Sequence, residues 1–241
     1  MIKQYQTLLS GKKKLSNDIW LFRFKLVNPA EINFQAGQYL ILKVNNQPRL
    51  YSIFSPNYIK DYIEFMIKII PEGIASNYFN NLQPGEQVSF EGPAGVFTLK
   101  ENEKNKVFLV TSTGLAPVYS MILSYLRKNS AATTPNLYLF WGLKNYEDAC
   151  FINELKQLAI NNQQFKLFIC LSREQNFDKI PEAEKTLFHL GRITSVWEKF
   201  VTQSNNNFDY YICGSREVVE SLNEYLLTKN IIKGNIFFEK F

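Results

Sequence analysis

Glu101-Asn102-Glu103-Lys104-Asn105 is a polar stretch at which the pattern of the sequence changes. Before it, short apolar runs alternate with turns rich in glycine and proline, which is typical of a small antiparallel β-barrel. After it, strand-like and helix-like runs follow one another, which is typical of a parallel, doubly wound α/β sheet. The sequence therefore predicts two domains of different class, residues 1–101 and residues 102–241.

The first half carries strand signals between dense turns. Tyr39 to Val44 is a compact apolar run, and Tyr62 to Ile69 alternates with the period of a half-buried strand. Val88 to Phe90 is a further strand candidate, and Ala75 to Leu82 is predicted to form a short helix. Turn residues separate these segments at Asn28-Pro29, Ala36-Gly37, Pro71-Glu72-Gly73, Pro84-Gly85 and Gly92-Pro93-Ala94-Gly95.

The second half predicts a five-stranded parallel sheet with helices between the strands. The strand candidates are Val107 to Thr111, Leu137 to Trp141, Lys166 to Leu171, Asp209 to Cys213 and Ile236 to Glu239. The helix candidates are Pro117 to Lys128, Asp148 to Asn161, Thr194 to Thr202 and Arg216 to Asn230. Such sheets bind ligands beyond the carboxyl ends of their strands, where the strand order reverses, so the residues that follow each strand are the first site candidates.

The composition excludes several classes of protein. With 46% hydrophobic residues and charges of both signs, the chain of 241 residues is expected to be globular and cytoplasmic. No segment approaches the roughly 18 uninterrupted apolar residues of a membrane span, and the N-terminus lacks the apolar core of a signal peptide. The three cysteines are far apart and His189 is the only histidine, so neither a disulfide framework, an iron–sulfur cluster nor a histidine-rich metal site is predicted.

The net charge of +5 is modest, and basic residues cluster at Lys12 to Lys14 and at Lys100 to Lys106. These clusters indicate either solvated loops or a docking face for an acidic partner such as a small electron carrier. Nucleic-acid binding would require a stronger basic stripe than this. We therefore expect no nucleic acid among the partners.

Arg49-Leu50-Tyr51-Ser52 combines a permanent cation, an aromatic ring and a hydroxyl between two strand-like runs. In a strand, Arg49 and Tyr51 would share one face while Leu50 and Ser52 share the other. A guanidinium suits a diphosphate, a phenol ring packs on a flat heterocycle, and a hydroxyl can hydrogen-bond a ring heteroatom. The stretch therefore favours a nucleotide ligand, although an ordinary edge strand would look the same.

Two predicted helices begin in ways that suit a phosphate group. Thr111-Ser112-Thr113-Gly114-Leu115-Ala116-Pro117 joins a strand to a helix, with Gly114 for a tight turn and Pro117 for the first helical turn. Gly73-Ile74-Ala75-Ser76 opens the short helix of the first half, where Ser76 and the nearby amides could hold a second phosphate. The alternatives are a plain strand-to-helix turn and an ordinary serine near a helix N-terminus.

Three further segments near strand ends carry candidate site residues. Ser172-Arg173-Glu174 favours NADP over NAD because an arginine here can accept a 2′-phosphate, although the adjacent glutamate argues the other way. Cys213-Gly214-Ser215 offers a small thiol and room for a flat ring, or simply a buried structural cysteine. The chain ends on the aromatic residue Phe241, which either caps a flat ligand or closes the core.

Five motifs in this order make the chain resemble the ferredoxin–NADP reductase superfamily over nearly its whole length. They are Arg49-Leu50-Tyr51-Ser52, Gly73-Ile74-Ala75-Ser76, Gly92-Pro93-Ala94-Gly95-Val96-Phe97, Thr113-Gly114-Leu115-Ala116-Pro117 and Tyr211-Ile212-Cys213-Gly214. Each motif is weak alone, whereas all five in order and on fitting elements are specific. The resemblance implies an FAD-binding barrel followed by an NAD(P)-binding domain.

The resemblance also implies roles for individual residues. Arg49 would contact the flavin diphosphate, Tyr51 would pack on the flavin, Ser52 would hydrogen-bond its redox-active ring nitrogen, and Ser76 would hold phosphate. The residues implied to bind FAD or NADPH, and less readily NADH, are Arg49, Leu50, Tyr51, Ser52, Gly73, Ile74, Ala75, Ser76, Thr113, Gly114, Ser172, Arg173, Gly214 and Phe241.

In the second domain the resemblance places Thr113 and Gly114 along the nicotinamide site, with Cys213 beside the nicotinamide ring. Ser172 and Arg173 match a pair that meets the 2′-phosphate in relatives that use NADP. We therefore expect NADPH to be preferred over NADH.

The C-terminus and two turns depart from the family pattern. Glu239 and Phe241 resemble the glutamate and terminal aromatic of plant-type members, in which the aromatic covers the flavin and the glutamate helps proton or electron transfer. Those members end in tyrosine, so Phe241 keeps a stacking face but lacks the hydroxyl. Ser112 and Ser215 stand where the family usually has glycine and often has proline. These differences bear on the pyrophosphate turn and the terminal lid.

The sequence thus predicts a flavoprotein oxidoreductase that transfers hydride between NAD(P)H and FAD and exchanges single electrons with a separate carrier such as ferredoxin or flavodoxin. Ser52, Cys213 and Glu239 are the residues expected to take part in the chemistry. One alternative is a reductase of free flavin or of an oxygenase partner. An alternative of another class is a non-catalytic module that senses flavin or nucleotide.

Overall fold

The computed structural model of the protein describes residues 3–129, 135–200 and 207–241. The chain divides into two compact units. The first comprises Met1–Leu99 with Ala116–Lys128, and the second comprises Lys100–Leu115 with Asn129–Phe241. A helix from the second half of the sequence is thus grouped with the first unit. The domain boundary after residue 101 stays a prediction.

The first unit is built on a six-stranded antiparallel sheet. Its strands are β1 (Lys3–Lys14), β2 (Ile19–Asn28), β3 (Tyr39–Val44), β4 (Gln47–Ser52), β5 (Tyr62–Lys68) and β6 (Gln87–Ala94), in the order β4-β3-β6-β1-β2-β5. The backbone N–H of Phe54, just beyond β4, donates to the carbonyl of Glu64 in β5 at 2.8 Å, so the two edge strands approach each other. The antiparallel barrel class predicted for this half is confirmed.

The pattern of β2 explains why these residues form strands around a core. Every second residue from Phe22 to Leu26 is buried, while Arg23 and Lys25 are exposed, which is the two-residue period of a strand with one face on a core. The core is rich in aromatic rings, and the ring centroids of Phe65 and Phe90 lie 5.1 Å apart within it. Burial of such large rings supplies much of the stability of a small barrel.

Two helices complete the first unit, α1 (Ile74–Asn81) and most of α2 (Leu115–Lys128). Phe79 is the fully buried side chain by which α1 enters the barrel core. The hydroxyl of Ser120 in α2 donates to the carbonyl of Ser55 at 2.8 Å, and both serines are buried. Each helix is thus held by a buried contact.

The second unit is a six-stranded parallel sheet. Its strands are β7 (Asn105–Thr111), β8 (Leu137–Leu143), β9 (Phe165–Leu171), β10 (Phe188–Leu190), β11 (Phe208–Gly214) and β12 (Ile236–Lys240), in the order β10-β9-β8-β7-β11-β12, with helices α3 (Ile152–Asn161), α4 (Ile193–Phe200) and α5 (Arg216–Thr228). The chain builds outward from β7 to β10 and then returns to the other side of β7, so the strand order reverses at β7 and β11. The predicted doubly wound parallel sheet is confirmed.

The number of strands in this sheet was predicted wrongly as five. All five candidates are present, but β10 adds a sixth strand at the edge, where Phe188 to Leu190 pair with Ile169 to Leu171. Three residues are too few to carry a periodic signal, and Gly191 follows them at a φ of 117°.

Three helices of the second unit differ from their predicted bounds, and α5 ends at Thr228 instead of Asn230. The helix predicted from Asp148 begins only at Ile152, because Tyr146–Asp148 forms a 3-10 turn and Phe151 adopts the left-handed region at a φ of 63°. The helix predicted over Thr194 to Thr202 corresponds to α4, and its last two positions, 201 and 202, lie outside the described residues.

β5 was predicted to be half-buried, yet both of its faces are buried. Met66 is 5% exposed and Glu64 is 8% exposed. The carboxylate of Glu64 is partnered, because the guanidinium of Arg23 in β2 lies 2.8 Å from it. A strand buried on both faces loses the alternation of polar and apolar residues that the prediction assumed.

The first basic cluster is not the solvated loop that the sequence suggested, whereas the second is an exposed loop over residues 100–103 that leads into a buried lysine. Lys12 to Lys14 lie in β1, and the ammonium of Lys12 donates to the carbonyl of Asn80 at 2.7 Å, near the end of α1. Lys106 is fully buried in β7, with its ammonium 2.9 Å from the carboxylate of Asp209. Lys12 and Lys106 therefore make contacts within the fold, one near a helix C-terminus and one in a buried ion pair.

None of the helices in the described ranges is long and apolar enough to cross a membrane. The cysteines Cys150, Cys170 and Cys213 are free thiols and all three are buried. Across those same ranges, no group of three or more His, Cys, Asp or Glu side chains comes together as a metal site.

Candidate functional site

β4 separates the side chains of the predicted flavin-binding stretch onto two faces. Arg49 is opposite Leu42 and Tyr51 is opposite Leu40, and both leucines are buried, so this face looks into the barrel. Leu50 lies on the other face and is 57% exposed. The cation and the ring therefore stand two residues apart on one side of an edge strand.

The ring of Tyr51 links β4 to α1. Its centroid lies 5.2 Å from that of Phe79 in α1, edge to face at 82°, and 6.0 Å from that of Phe65 in β5. Burial raises the pKa of Tyr51 to about 12, against a small opposing effect of the charge of Arg49. The phenol is therefore neutral at ordinary pH and acts as a packing surface, not as an anion.

The guanidinium of Arg49 is occupied only by its immediate neighbours. It donates to the carbonyl of Pro48 at 2.9 Å and to the side-chain oxygen of Gln47 at 2.7 Å. No carboxylate in the described part of the chain lies within ion-pair distance of it. Neutral local acceptors of this kind are weaker partners for arginine than a diphosphate.

α1 begins at Gly73 without a side-chain cap. The backbone N–H of Asn77 donates to the carbonyl of Gly73 at 2.8 Å, so the N–H groups of Ile74, Ala75 and Ser76 precede the first intrahelical bond. Such N–H groups carry partial positive charge and suit an anion. We call Arg49, Tyr51 and Ser52 together with this helix start the β4 site.

The hydroxyl of Ser76 already has a structural partner. It is buried and accepts a hydrogen bond from the backbone N–H of Ile70 at 2.8 Å, which braces the turn before α1. A hydroxyl that accepts one bond still has its own hydrogen to donate. The predicted phosphate contact of Ser76 therefore stays a prediction that this geometry allows.

The turn after β7 is strained at one residue. Ser112 has a φ of 49°, in the left-handed region that glycine adopts most readily. The indole Nε1 of Trp141 in β8 donates to the carbonyl of Ser112 at 3.1 Å and holds the turn in place. The left-handed backbone at this position thus explains why the family usually has glycine there.

Two glycines let this turn approach β11 closely. A Cβ atom added to Gly114 would lie 2.4 Å from the carbonyl oxygen of Cys213, and one added to Gly214 would lie 2.4 Å from the hydroxyl oxygen of Thr111. Only glycine fits at such separations. We call Thr113, Gly114, Cys213 and Gly214 the β7 site, and it stands where the strand order reverses.

Glu239 is opposite Cys213 in the parallel pairing of β11 with β12. Burial raises the pKa of the Cys213 thiol well above its usual range, and the negative charge of Glu239 raises it further. The thiol therefore stays protonated at ordinary pH. The thiol is fully buried and neutral, so it is not available as a nucleophile.

Phe241 does not close the core, which was one of the two roles expected for it. The residue is 61% exposed. Its backbone N–H donates to the carbonyl of Gly214 at 3.3 Å, which anchors the last residue beside the β7 site. The role of lid over a flat ligand stays a prediction.

Ser172 and Arg173 follow β9 and are both exposed. The hydroxyl of Ser172 donates to the carbonyl of Leu143 at 3.1 Å, so it must rotate before it can donate to a phosphate. β9 is two strands away from β7, which corresponds to about 10 Å across the sheet. The two segments therefore stand apart along one sheet edge, as the two ends of an extended dinucleotide require.

Several residues that shape these sites were missed at the level of sequence. The indole of Trp141 and the ammonium of Lys179, which pairs with Glu174, carry no local pattern that marks them. Ser112, in contrast, was marked by the family pattern of glycine at its position. The others depend on long-range packing.

Comparison with known proteins identifies both units. Residues 6–99 match the oxidoreductase FAD-binding domain, and residues 108–224 match the oxidoreductase NAD-binding domain. The chain is 27% identical over 240 residues to the toluate 1,2-dioxygenase electron transfer component of Pseudomonas putida, covering 98% of this chain and 67% of that protein.

Solved structures share the fold. A cytochrome P450 reductase from Amycolatopsis aligns with a TM-score of 0.88 at 21% identity, over 100% of this chain and 70% of that one. A ferredoxin NADP⁺ reductase from Neisseria gonorrhoeae, solved with bound FAD and NADP, aligns with a TM-score of 0.79 at 21% identity, over 99% and 98%. The two matched domains and the fold together show that the chain belongs to the ferredoxin–NADP reductase superfamily and is an FAD- and NAD(P)H-dependent oxidoreductase.

Proposed function

We propose that this chain takes hydride from NADPH, and less readily from NADH, and delivers electrons singly to a separate carrier, ferredoxin or flavodoxin, that supplies an oxygenase. FAD, when bound, accepts the hydride and releases the electrons one at a time. The observation that carries the proposal is the close approach of Gly114 to Cys213 at the reversal of strand order, the position at which parallel sheets bind dinucleotides.

The β4 site fits FAD in charge and shape. The guanidinium of Arg49 has only neutral local acceptors, and the first amides of α1 lack intrahelical partners, so both suit a diphosphate. Tyr51 is braced by Phe79 and by Phe65, which fixes its ring as a rigid surface for a flavin. We expect Ser52 to orient the flavin by a hydrogen bond to its reactive nitrogen.

The β7 site fits a nicotinamide ring. A Cβ added to Gly114 or to Gly214 would lie 2.4 Å from Cys213 or from Thr111, so glycine lets the turn after β7 pack directly on the end of β11, where parallel sheets bind dinucleotides. Cys213 contributes a neutral thiol, so its role is to pack beside the ring and exclude water, not to exchange a proton. We assign to Glu239 the handling of a proton, and to Phe241 the covering of the flavin.

The end of β9 fits the adenosine half of the coenzyme. Arg173 is exposed and, within the described ranges, has no carboxylate partner, so it can pair with a 2′-phosphate. Ser172 adds a hydroxyl beside it. These two residues support a preference for NADPH.

The carrier and its oxygenase are inferred from a relative. The P. putida protein that matches nearly all of this chain is an electron transfer component of a dioxygenase. Of the basic residues first suggested as a docking face, Lys12 and Lys106 are engaged internally, so a docking surface for an acidic carrier would have to use other lysines. We propose the cytoplasm as the compartment, as expected from the composition.

The experiment that tests this function compares electron acceptors. The purified chain is reconstituted with FAD, passed through gel filtration and supplied with NADPH under anaerobic conditions, with ferredoxin, flavodoxin or free FMN as acceptor. We expect FAD to remain with the protein and a carrier protein to be reduced at micromolar concentration. Loss of FAD with rapid reduction of free FMN alone would favour the free-flavin reductase instead. Bound FAD that NADPH cannot reduce would favour a sensing module.

A further inference from the structure

Glu174 directly follows Ser172 and Arg173, and its carboxylate is held away from them. Its Oε1 accepts the backbone N–H of Tyr146 at 3.2 Å and lies 3.7 Å from the ammonium of Lys179. Only 12% of the Glu174 side chain is exposed. This acid is therefore bound to the loop after β8.

Lys179, in the loop after β9, pairs with Glu174 and with a second acid. Its ammonium lies 3.0 Å from the carboxylate of Glu147 as well as 3.7 Å from that of Glu174. One lysine thus connects Glu147, inside the 3-10 turn Tyr146–Asp148, with Glu174 in the loop after β9. Its positive charge offsets the negative charge of Glu174 at the strand end that we assign to adenosine.

Arg173 shows the opposite arrangement. It is exposed, and no acid of the described chain lies within ion-pair distance of its guanidinium, although Glu174 is its neighbour in sequence. The end of β9 therefore presents a cation outward while its acid is neutralised inward. A phosphate monoester carries up to about two negative charges and would meet attraction without repulsion here.

We propose that Lys179 is a positioning residue for coenzyme choice, which holds Glu174 on the loop after β8 and so leaves Arg173 available to the 2′-phosphate of NADPH. This inference rests on the proposed function, because it requires adenosine to bind at the end of β9. Without Lys179, the carboxylate of Glu174 is released toward Arg173. There it either pairs with the guanidinium or repels the 2′-phosphate, and both effects act against NADPH and not against NADH.

The test uses adenosine 2′,5′-bisphosphate and 5′-AMP as probes, with dissociation constants measured by calorimetry on the purified chain. We expect the bisphosphate to bind more tightly to the wild type. We expect Lys179→Gln to weaken its binding about tenfold while 5′-AMP changes less than about twofold, because only the 2′-phosphate meets the released carboxylate. Glu174→Gln added to Lys179→Gln should restore the wild-type ratio.

Two controls separate positioning from damage to the fold. Lys185→Gln breaks a surface pair with Glu182 at 2.7 Å elsewhere in the same unit, and it should leave both constants unchanged. In steady-state assays, Lys179→Gln should raise KM for NADPH while kcat stays the same. A loss through misfolding would lower kcat with both coenzymes.

The outcomes distinguish this inference from the proposed function. A bisphosphate preference that survives Lys179→Gln, or that fails to return in the double variant, overturns the role of Lys179. A wild type that binds 5′-AMP as tightly as the bisphosphate overturns it too. Because these probes involve neither FAD nor a carrier, failure of electron transfer would contradict the proposed function while leaving the binding result intact.

Discussion

The two helix starts that suit a phosphate differ in how tightly the chain packs around them. At α1, a Cβ added to Gly73 would meet the hydroxyl oxygen of Ser76 at 3.0 Å and the carbonyl of Ile70 at 3.2 Å. At the turn after β7, a Cβ added to Gly114 would lie 2.4 Å from the backbone oxygen of Cys213. The nearest neighbour of Gly73 is thus a side-chain atom at 3.0 Å, whereas that of Gly114 is a backbone atom at the end of β11, 0.6 Å closer.

The surroundings of the first helix start are determined by neighbouring residues in the sequence, whereas those of the second are determined by the packing of the sheet. α1 starts at a glycine with ordinary extended geometry, and its surroundings come from the same short segment. The β7 turn requires a left-handed Ser112 and a strand, β11, that comes about a hundred residues later in the chain. The β4 site should therefore tolerate a substitution at Gly73, whereas the β7 site should not tolerate one at Gly114.

Gly114→Ala should have the largest effect on stability. The new methyl group overlaps the backbone of β11, so either the turn or the strand end must move, and we expect a loss of about 3 kcal/mol in the free energy of unfolding. Urea denaturation followed by circular dichroism measures it. Gly73→Ala should cost about 1 kcal/mol or less, and Gly234→Ala, with open space around it, should be close to neutral. Equal losses of unfolding free energy in Gly73→Ala and Gly114→Ala would show that the two helix starts are packed equally tightly.

Ser52→Ala should slow flavin reduction by about ten- to hundredfold, because it removes one hydrogen bond that orients the reacting ring. FAD binding should weaken much less, since Arg49 and Tyr51 remain. Stopped-flow absorbance under anaerobic conditions gives the rate, and fluorescence titration gives the FAD affinity. Ser89→Ala, at an exposed serine of β6, is the matched control. An unchanged rate of flavin reduction in Ser52→Ala would remove Ser52 from the chemistry.

The buried thiol of Cys213 predicts a dependence of stability on pH. Its pKa is raised in the folded chain, so its stabilising effect is complete below the ordinary value of 9.0 and is lost as pH rises through the folded pKa. Between pH 8 and pH 10 this thiol should account for about 1 kcal/mol of lost stability. Comparing urea midpoints of the wild type and Cys213→Ala at both pH values isolates its share. Iodoacetamide at pH 8 should modify Cys213 in urea but not in the folded protein.

Ser112→Gly should have the smallest effect and the opposite sign. Relief of the left-handed strain at a φ of 49° should outweigh the added freedom of the unfolded chain, giving a gain of about 0.5 to 1 kcal/mol. Asn230→Gly, at a φ of 59°, is the control, and it should gain less because asparagine tolerates this region better than serine. Thermal unfolding measures both, and a destabilised Ser112→Gly would show that the hydroxyl has a structural role.

Much of the fold could be predicted because its signals are local. Tyr39 to Val44 is strand β3 with the same bounds, and the change of class near residue 102 follows from turn residues and from the alternation of strands and helices. The order of strands also places the predicted Gly114 and Cys213 together at β7 and β11. Local signals therefore predicted the strands and turns that carry both candidate sites, and the strand order brings two of these segments together.

What could not be predicted depends on contacts distant in sequence. Lys106 looked like a member of a basic surface, yet Asp209 draws it into the interior through a pairing of β7 with β11. The burial of Glu64 requires Arg23 on the neighbouring strand. Likewise, Lys179 gains its place only from the loops that bring Glu174 and Glu147 to it. A single sequence carries no signal for such pairs.

Hydride transfer from NADPH to bound FAD is tested by the visible spectrum of the FAD-reconstituted protein, titrated anaerobically with NADPH and, in a separate sample, with NADH. We expect the absorbance of oxidised flavin to bleach with about one equivalent of NADPH, since one hydride reduces one flavin. We expect NADH to require a higher concentration. A protein that takes up no FAD, or bound FAD that neither coenzyme bleaches, would show that the chain does not transfer hydride from NADPH to FAD.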